Sequence, residues 1–124
     1  MNRLRIYIAG PYTRGDVAQN VRKAILMADR LITHGFTPYC PHLSHFQHLL
    51  APRAYEDWLE NDLAWLEQCD ALLRLPGESA GADREEARAY ELKMLVFSDV
   101  AGLIEWRAKS TAARSIRDRP RLAT

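Results

Sequence analysis

The stretch LRIYIAGPYTRG, residues 4–15, decides the fold. Its first six residues are largely apolar and β-rich, which predicts a buried strand. The loop GPYTRG (10–15) follows, and Asp16 behind it is a suitable N-cap for a helix. Apolar residues then recur at helical spacing as far as Ile32, and Gly35 is placed to end that helix. This part of the chain therefore predicts a strand, a short loop and a helix in succession.

The rest of the chain continues the alternation of strands and helices. Strands are predicted at 37–40, 70–75 and 94–97, and helices at about 53–68, 80–92 and 100–106, with a helical turn within 43–50. Apolar strands that alternate with helices indicate a parallel sheet covered on both faces. We therefore predict an α/β domain with a three-layer Rossmann- or flavodoxin-like fold and a parallel sheet of four to five strands.

Composition indicates one ordinary globular domain. The chain has 124 residues, 48% of them hydrophobic, and a formal net charge of +1, which argues against nucleic acid as a partner. Cys40 and Cys69 match no metal or redox spacing, and no apolar run is long enough to span a membrane. We therefore expect a cytoplasmic protein. We assign residues 1–108 to the domain and the arginine-rich residues 109–124 to a tail that is mobile or ordered by a partner.

Two loops of the predicted sheet are candidates for ligand binding. In open parallel sheets, ligands bind beyond the carboxyl ends of the strands, at the point where the strand order reverses. The loops after the first and third strands, residues 10–15 and 76–81, are of this kind. Neither loop carries the P-loop or dinucleotide-binding glycine pattern. Their position therefore predicts a ligand site without specifying its chemistry.

Asp62 has an unusual setting in the predicted helix 53–68. Its neighbours three and four residues away are all large and hydrophobic: Trp58, Leu59, Trp65 and Leu66. Asp62 therefore lies on the stripe that faces the core, where a carboxylate is costly unless it is paired and its pKa otherwise rises. It is either a structural residue that caps a loop or meets an arginine, or a carboxylate used for proton transfer in an apolar pocket.

Glu85 presents the complementary case near the start of the helix 80–92. Its helical neighbours are mostly small: Gly81, Ala82, Arg88 and Ala89. Such neighbours would leave the carboxylate exposed to a ligand, and the helix dipole would keep it ionised, as a nucleophile requires. Alternatively, Glu85 is an acid in the first turn that only stabilises the helix through its dipole. Glu86 is expected to point away from the site and to be solvated. Two carboxylates with opposed environments in one pocket are typical of glycosyl transfer.

Three segments carry a family resemblance: IYIAGPYT, DLAWLEQCDALLRL and SAGADREEARA. Together they resemble the nucleoside 2-deoxyribosyltransferase-like family over roughly residues 4–97. That family includes 5′-deoxynucleotide N-hydrolases and many small uncharacterised bacterial and phage proteins. The most specific pattern is Ser79, one residue, Gly81, three residues and Glu85. The resemblance implies that Glu85 attacks the anomeric carbon of the sugar and that Asp62 assists.

The resemblance also implies a substrate. Transferases of the family that act on free nucleosides carry Asp where this chain has Ser79, whereas the nucleotide hydrolases carry Ser, which can bind a 5′-phosphate. We therefore predict an N-glycosidase that hydrolyses a (deoxy)nucleoside 5′-monophosphate through a glycosyl-enzyme intermediate, without a metal or other cofactor. Besides the catalytic Glu85 and Asp62, the expected substrate-binding residues are Tyr7, Gly10, Pro11, Tyr12, Arg14, His42, His45, Ser79 and Gly81.

Histidines recur every third residue at His42, His45 and His48. On a helix the first and last would point about 120° apart, which does not favour one shared metal ion. These side chains are predicted either to line the substrate site or to pack at the surface.

Members of the family commonly form dimers in which a neighbour completes the site. The resemblance therefore implies a homodimer or higher homo-oligomer for this chain. Two other activities are open. One is a transferase that passes deoxyribose between bases, and the other is a non-catalytic nucleotide-binding or sensor module.

Overall fold

The structure, a computed structural model, describes residues 3–112, which form one parallel sheet and the helices that cover it. The strands are β1 (Arg5–Ala9), β2 (Thr37–Tyr39), β3 (Ala71–Arg74) and β4 (Leu95–Phe97). The helices are α1 (Val17–Thr33), α2 (Ser44–Leu50), α3 (Tyr55–Leu66), α4 (Ala80–Glu91) and α5 (Val100–Ala112), with a 3-10 turn at Pro41–Leu43. The predicted alternation of strands and helices is confirmed.

The four strands of the sheet are all parallel and lie in the order β2-β1-β3-β4. The chain moves from β1 to one edge of the sheet, returns to β3 on the other side of β1, and ends at β4. The order therefore reverses between β1 and β3, and α1 and α4, the helices that follow the loops after these two strands, lie on opposite faces of the sheet. This topology confirms the predicted Rossmann- or flavodoxin-like class and places the two candidate loops side by side.

Alternating side chains of the strands supply two cores, one on each face of the sheet. On the first face, the strands pack against α1 and α5; the buried residues are Leu4, Ile6, Ile8, Ala24, Leu31, Phe36, Cys40, Ala71, Leu73, Val100 and Leu103. On the second face, they pack against α3 and α4; the buried residues are Tyr7, Ala9, Leu66, Leu72, Ala82 and Ala89. The fold therefore has three layers, as predicted.

Both ends of α1 follow the prediction. The carboxylate of Asp16 accepts a hydrogen bond from the backbone N–H of Gln19 at 3.2 Å, which caps the first turn. Gly35 lies just beyond the helix with a φ of +86°, a conformation that favours glycine. Ile32, the last of the apolar residues at helical spacing, is 54% exposed in the final turn.

The last helix is longer than predicted. It runs from Val100 to Ala112 rather than to about residue 106, so the first four residues of the predicted tail continue α5. The remainder of that tail, 113–124, lies outside the described residues. Within residues 3–112, no helix combines the length and the apolar character needed to cross a membrane.

Candidate active site

Four side chains from four different elements meet on the second face of the sheet. The hydroxyl of Tyr7 on β1 donates to Oε2 of Glu85 on α4 at 2.5 Å. The hydroxyl of Tyr39 on β2 donates to Oδ1 of Asp62 on α3 at 3.4 Å, and the two tyrosine rings lie 5.5 Å apart. We call these four residues the carboxylate cluster. It brings the two predicted catalytic acids into one connected group.

Both acids of the carboxylate cluster are buried, with Asp62 8% and Glu85 7% exposed. The predicted burial of Asp62 is confirmed, whereas the predicted exposure of Glu85 is wrong. The reason lies in the small neighbours of Glu85. Ala82 and Ala89 are themselves buried against the sheet, so this face of α4 packs closely enough for Tyr7 to cover the Glu85 carboxylate.

Burial determines how the two acids hold protons. It raises the pKa of Glu85 to about 8; the Tyr7 hydrogen bond opposes this rise, the charge of Asp62 adds to it, and the charge of Arg74 opposes it. Burial also raises the pKa of Asp62 to about 6, against the hydrogen bond from Tyr39. Burial therefore favours the protonated form of Glu85, against the expectation of an ionised carboxylate. The two acids together hold about one proton near neutral pH, and it resides mainly on Glu85.

Arg74 explains why acids crowd the first turns of α4. Its guanidinium bonds the carboxylates of Asp83 at 2.8 Å and Glu86 at 3.3 Å, and it donates to the carbonyl of Gly77 at 2.7 Å. Glu86 also accepts from the hydroxyl of Tyr90. The prediction that Glu86 is simply solvated is therefore wrong, because its side chain is only 28% exposed and pairs with a cation.

Ser79 is the N-cap of α4. Its Oγ accepts a hydrogen bond from the N–H of Ala82 at 3.0 Å, which leaves the hydroxyl hydrogen able to donate to a ligand. Gly81 follows in the first turn, and a Cβ there would come within 3.2 Å of the hydroxyl of Tyr55. This end of α4 is therefore crowded by Tyr55, a residue that the sequence did not indicate.

The loops after β1 and β3 pack against each other. A Cβ on Gly10 would come within 2.9 Å of Cβ of Leu75, and one on Gly77 within 2.8 Å of Cγ of Pro11. Gly77 also has a φ of +117°, so glycine is required there for its conformation as well as for space.

Arg14 joins the same two loops at the surface. Its guanidinium bonds the carboxylate of Glu78 at 2.8 Å, and both side chains are largely exposed. The predicted phosphate ligand is therefore engaged with an acid of this chain, in a pair of the exposed kind that contributes little to stability.

His42 and His45 hold the loop after β1. Nε2–H of His42 donates to the carbonyl of Pro11 at 2.9 Å, and burial lowers the pKa of His42, which favours this neutral form. Nδ1 of His45 lies 2.7 Å from the hydroxyl of Tyr12 in a second hydrogen bond. The two histidines therefore reach the candidate loop, and what they contact is the protein itself.

His48 points elsewhere. Its Nδ1 accepts from the indole N–H of Trp58 at 2.9 Å and from the backbone N–H of Arg53 at 3.2 Å, so it fastens the start of α3. In the part of the chain that the structure describes, no three His, Cys, Asp or Glu side chains are grouped so as to hold a metal ion.

A family model described as a domain of unknown function, DUF7768, matches residues 4–98, which span the whole sheet and the carboxylate cluster. The chain belongs to the DUF7768 family. Among solved structures, a 2-deoxyribosyltransferase from the psychrotolerant bacterium Bacillus psychrosaccharolyticus is similar, with a TM-score of 0.52 and 22% identity over 74% of this chain and 69% of that chain. At this identity the likeness shows a shared fold. Among curated proteins none matches.

Sequence reasoning missed three residues of the site in this DUF7768 domain. Tyr39 left a partial signal as an aromatic residue in the predicted strand 37–40, but its position opposite Tyr7 follows from the sheet register. Arg74 also left a signal as a lone cation at the end of an apolar strand. Tyr55 left none, because its approach to Gly81 depends on how α3 and α4 pack together.

Proposed function

We propose that this protein hydrolyses the N-glycosidic bond of a (deoxy)nucleoside 5′-monophosphate, with Glu85 as the nucleophile and Asp62 as its proton-transfer partner. The observation that carries the proposal is the carboxylate cluster, in which two buried acids interact and Tyr7 orients the Glu85 carboxylate. A pair of carboxylates is the usual equipment for glycosyl transfer. The similar fold of a protein described as a 2-deoxyribosyltransferase supports the same class of chemistry.

The proton held by the two acids gives each a task in the first step. Glu85 passes its proton to Asp62, and the freed carboxylate oxygen forms a bond to C1′ of the sugar. The C1′–N bond breaks, its electron pair goes to the base, and the base receives the proton from Asp62. The products of this step are the free base and a glycosyl ester on Glu85.

Water completes the reaction in the second step. Its oxygen bonds C1′, the ester C–O bond breaks, and Glu85 leaves with the electron pair. The proton released by the water returns to the carboxylate cluster, and the sugar phosphate departs. Atoms and charges balance without a metal or an organic cofactor.

The loops after β1 and β3, where the strand order reverses, would bind the substrate. The Ser79 hydroxyl and the backbone around Gly81 would bind the 5′-phosphate at the start of α4. The Gly10–Arg14 loop, with Pro11 and Tyr12, would hold sugar and phosphate, because Arg14 can exchange an exposed carboxylate for a phosphate. His42 and His45 would fix the conformation of this loop through their hydrogen bonds to Pro11 and Tyr12.

We also propose that the protein forms a homodimer or higher homo-oligomer in the cytoplasm. Helix α2 carries large hydrophobic side chains that are half or more exposed: Phe46, Leu49 and Leu50. Their spacing of three and four residues places them on one face of α2, and exposed apolar side chains grouped in this way indicate an interaction site. A second copy of the chain would bury it.

The experiment is to incubate the protein with a panel of nucleosides and their 5′-monophosphates and to measure released base by chromatography. Base released from a monophosphate, at a rate that an added second base does not change, supports the hydrolase. Acceleration by the second base would instead favour the transferase, which the similar solved structure makes the second candidate. Ligand binding without release of base would show a non-catalytic module.

A further inference from the structure

Arg74 is the last residue of β3, and its side chain is only 17% exposed. Its Nε donates to the carbonyl of Leu75 at 3.1 Å, and a terminal nitrogen donates to the carbonyl of Gly77 at 2.7 Å. The other terminal nitrogen bonds the carboxylates of Asp83 and Glu86. One guanidinium therefore joins two points of the β3–α4 loop to two points of α4.

These four contacts span the segment that carries the phosphate-binding and nucleophilic residues of the proposed reaction. Ser79 lies between the loop contacts and the helix contacts, and Glu85 lies between Asp83 and Glu86 on α4. A planar guanidinium donates these bonds from three nitrogens in a fixed, forked arrangement. A lysine ammonium has a single nitrogen and cannot reproduce this fork of donors. Ordering the loop and the helix as one unit thus depends on an arginine at this position.

The same geometry places a cation beside the turn that carries Glu85. The titratable groups that shift the pKa of Glu85 come from three elements around it: Tyr7 on β1, Asp62 on α3 and Arg74 on β3. Tyr39 on β2 faces the same cluster, and Glu85 raises the pKa of Tyr39. Among these, Arg74 contributes the positive charge, which favours the ionised carboxylate that attack on C1′ requires.

We propose that Arg74 is a positioning residue of the site, which fixes the β3–α4 loop to the first turns of α4 and so sets Ser79 and Glu85 relative to each other. The effect of Arg74 on catalysis rests on the proposed function. Its role in holding the β3–α4 loop against α4 does not, because those contacts are made within the protein itself.

The test compares Arg74→Gln, which removes the charge, with Arg74→Lys, which keeps the charge and loses the fork. Arg88→Gln is the matched control, because Arg88 lies on α4 and, like Arg74, makes two ion pairs, in its case with Glu67 and Glu91. Two quantities are measured on the substrate-free proteins. One is the titration of the Glu85 carboxyl, followed by NMR with carboxyl-labelled glutamate, and the other is amide hydrogen exchange over residues 79–83.

In Arg74→Gln we expect Glu85 to titrate at a pH higher by about half to one unit, and exchange over 79–83 to be faster by roughly tenfold or more. In Arg74→Lys the titration stays close to that of the wild type, while exchange is faster to a similar extent. Arg88→Gln changes neither quantity in this region.

Wild-type titration of Glu85 and wild-type exchange in Arg74→Gln would overturn the proposal. Unchanged amide exchange in Arg74→Lys would also overturn it. This variant retains the positive charge, so it still tests the proposal if Arg74→Gln fails to fold. Neither measurement uses a substrate. A wild-type protein that releases no base would therefore remove the proposed function and leave the positioning role of Arg74 standing.

If base release is found, it supplies a further readout. The alkaline limb of the pH profile of kcat/KM, where the cluster loses the proton held mainly by Glu85, should move upward in Arg74→Gln together with the NMR titration. A loss of activity with an unmoved limb would contradict the electrostatic half of the proposal.

Discussion

The Tyr7 hydroxyl donates to Oε2 of Glu85 at 2.5 Å, and both side chains are buried on the second face of the sheet. Burial and the neighbouring Glu85 raise the pKa of Tyr7, so this hydroxyl stays protonated and acts only as a donor. A fixed donor orients one carboxylate oxygen and leaves the other for a substrate. This bond couples the middle of β1 to the ionisation of the proposed nucleophile.

Replacing Tyr7 with phenylalanine should therefore raise the pKa of Glu85, because the hydrogen bond from Tyr7 lowers it. We expect the alkaline limb of the kcat/KM profile for base release, where Glu85 loses its proton, to move upward by roughly half to one pH unit. The matched control is Tyr90→Phe, which removes an exposed hydroxyl from Glu86 on the same helix. An unmoved limb in Tyr7→Phe would contradict the role of this bond.

Replacing Glu85 with glutamine should change how stability depends on pH. The pKa of Glu85 is raised from 4.5 to about 8, so the folded protein retains this proton more tightly than the unfolded chain does. The stability contributed by the protonated carboxyl is present in full below the ordinary value and is lost as the pH rises through about 8. Glutamine stays neutral and can still accept from Tyr7.

Glu85→Gln should accordingly be more stable than the wild type above pH 8, by on the order of 4 kcal/mol, and close to it near pH 5. Denaturant unfolding at both pH values measures this, with Glu86→Gln as the control. A variant that is less stable than the wild type at the higher pH would contradict the account of a buried, neutral Glu85.

Replacing Asp62 with asparagine should lower the turnover number by roughly a hundredfold or more, because the proposed proton carrier is lost. The change also removes a charge that raises the pKa of Glu85, so the carboxyl of Glu85, followed by NMR, should titrate at lower pH. Turnover and unfolding are measured on the same preparations. Wild-type turnover with a large loss of stability would return Asp62 to a purely structural role.

Replacing Ser79 with aspartate should shift preference away from monophosphates. Aspartate is also a good N-cap, so α4 should remain formed while a carboxylate faces the phosphate. The repulsion is worth about 1 to 4 kcal/mol, which corresponds to roughly a five-fold to several-hundred-fold loss in kcat/KM for a monophosphate, with its nucleoside spared. If the wild type prefers the free nucleoside, phosphate recognition by Ser79 is wrong.

Local patterns were sufficient for most of the fold. The apolar strand at residues 4–9, the cap at Asp16 and the stop at Gly35 each depend on a few neighbouring residues, and the structure has all three. The burial of Asp62 was equally local, because its helical neighbours determine which way it faces.

The environment of Glu85 could not be predicted in that way. Its small helical neighbours suggested access for a ligand, but they instead allow α4 to approach Tyr7, a residue 78 positions earlier. Arg74 presents the same difficulty, because its pairing with Asp83 and Glu86 depends on the path of the intervening loop. Long-range packing thus favours a protonated Glu85 where the sequence predicted an ionised one, and it brings Glu85 and Asp62 together as predicted.

If Glu85 is the nucleophile, two neighbouring variants should differ sharply in their rate of base release. Glu85→Gln keeps the size and the Tyr7 contact of the side chain, and Glu86→Gln makes the same change one residue further on. Using the best monophosphate found in the panel, we expect Glu85→Gln to lose activity by roughly a thousandfold or more and Glu86→Gln to stay within about tenfold of the wild type. Near-wild-type base release by Glu85→Gln, or a greater loss in Glu86→Gln, would contradict the account.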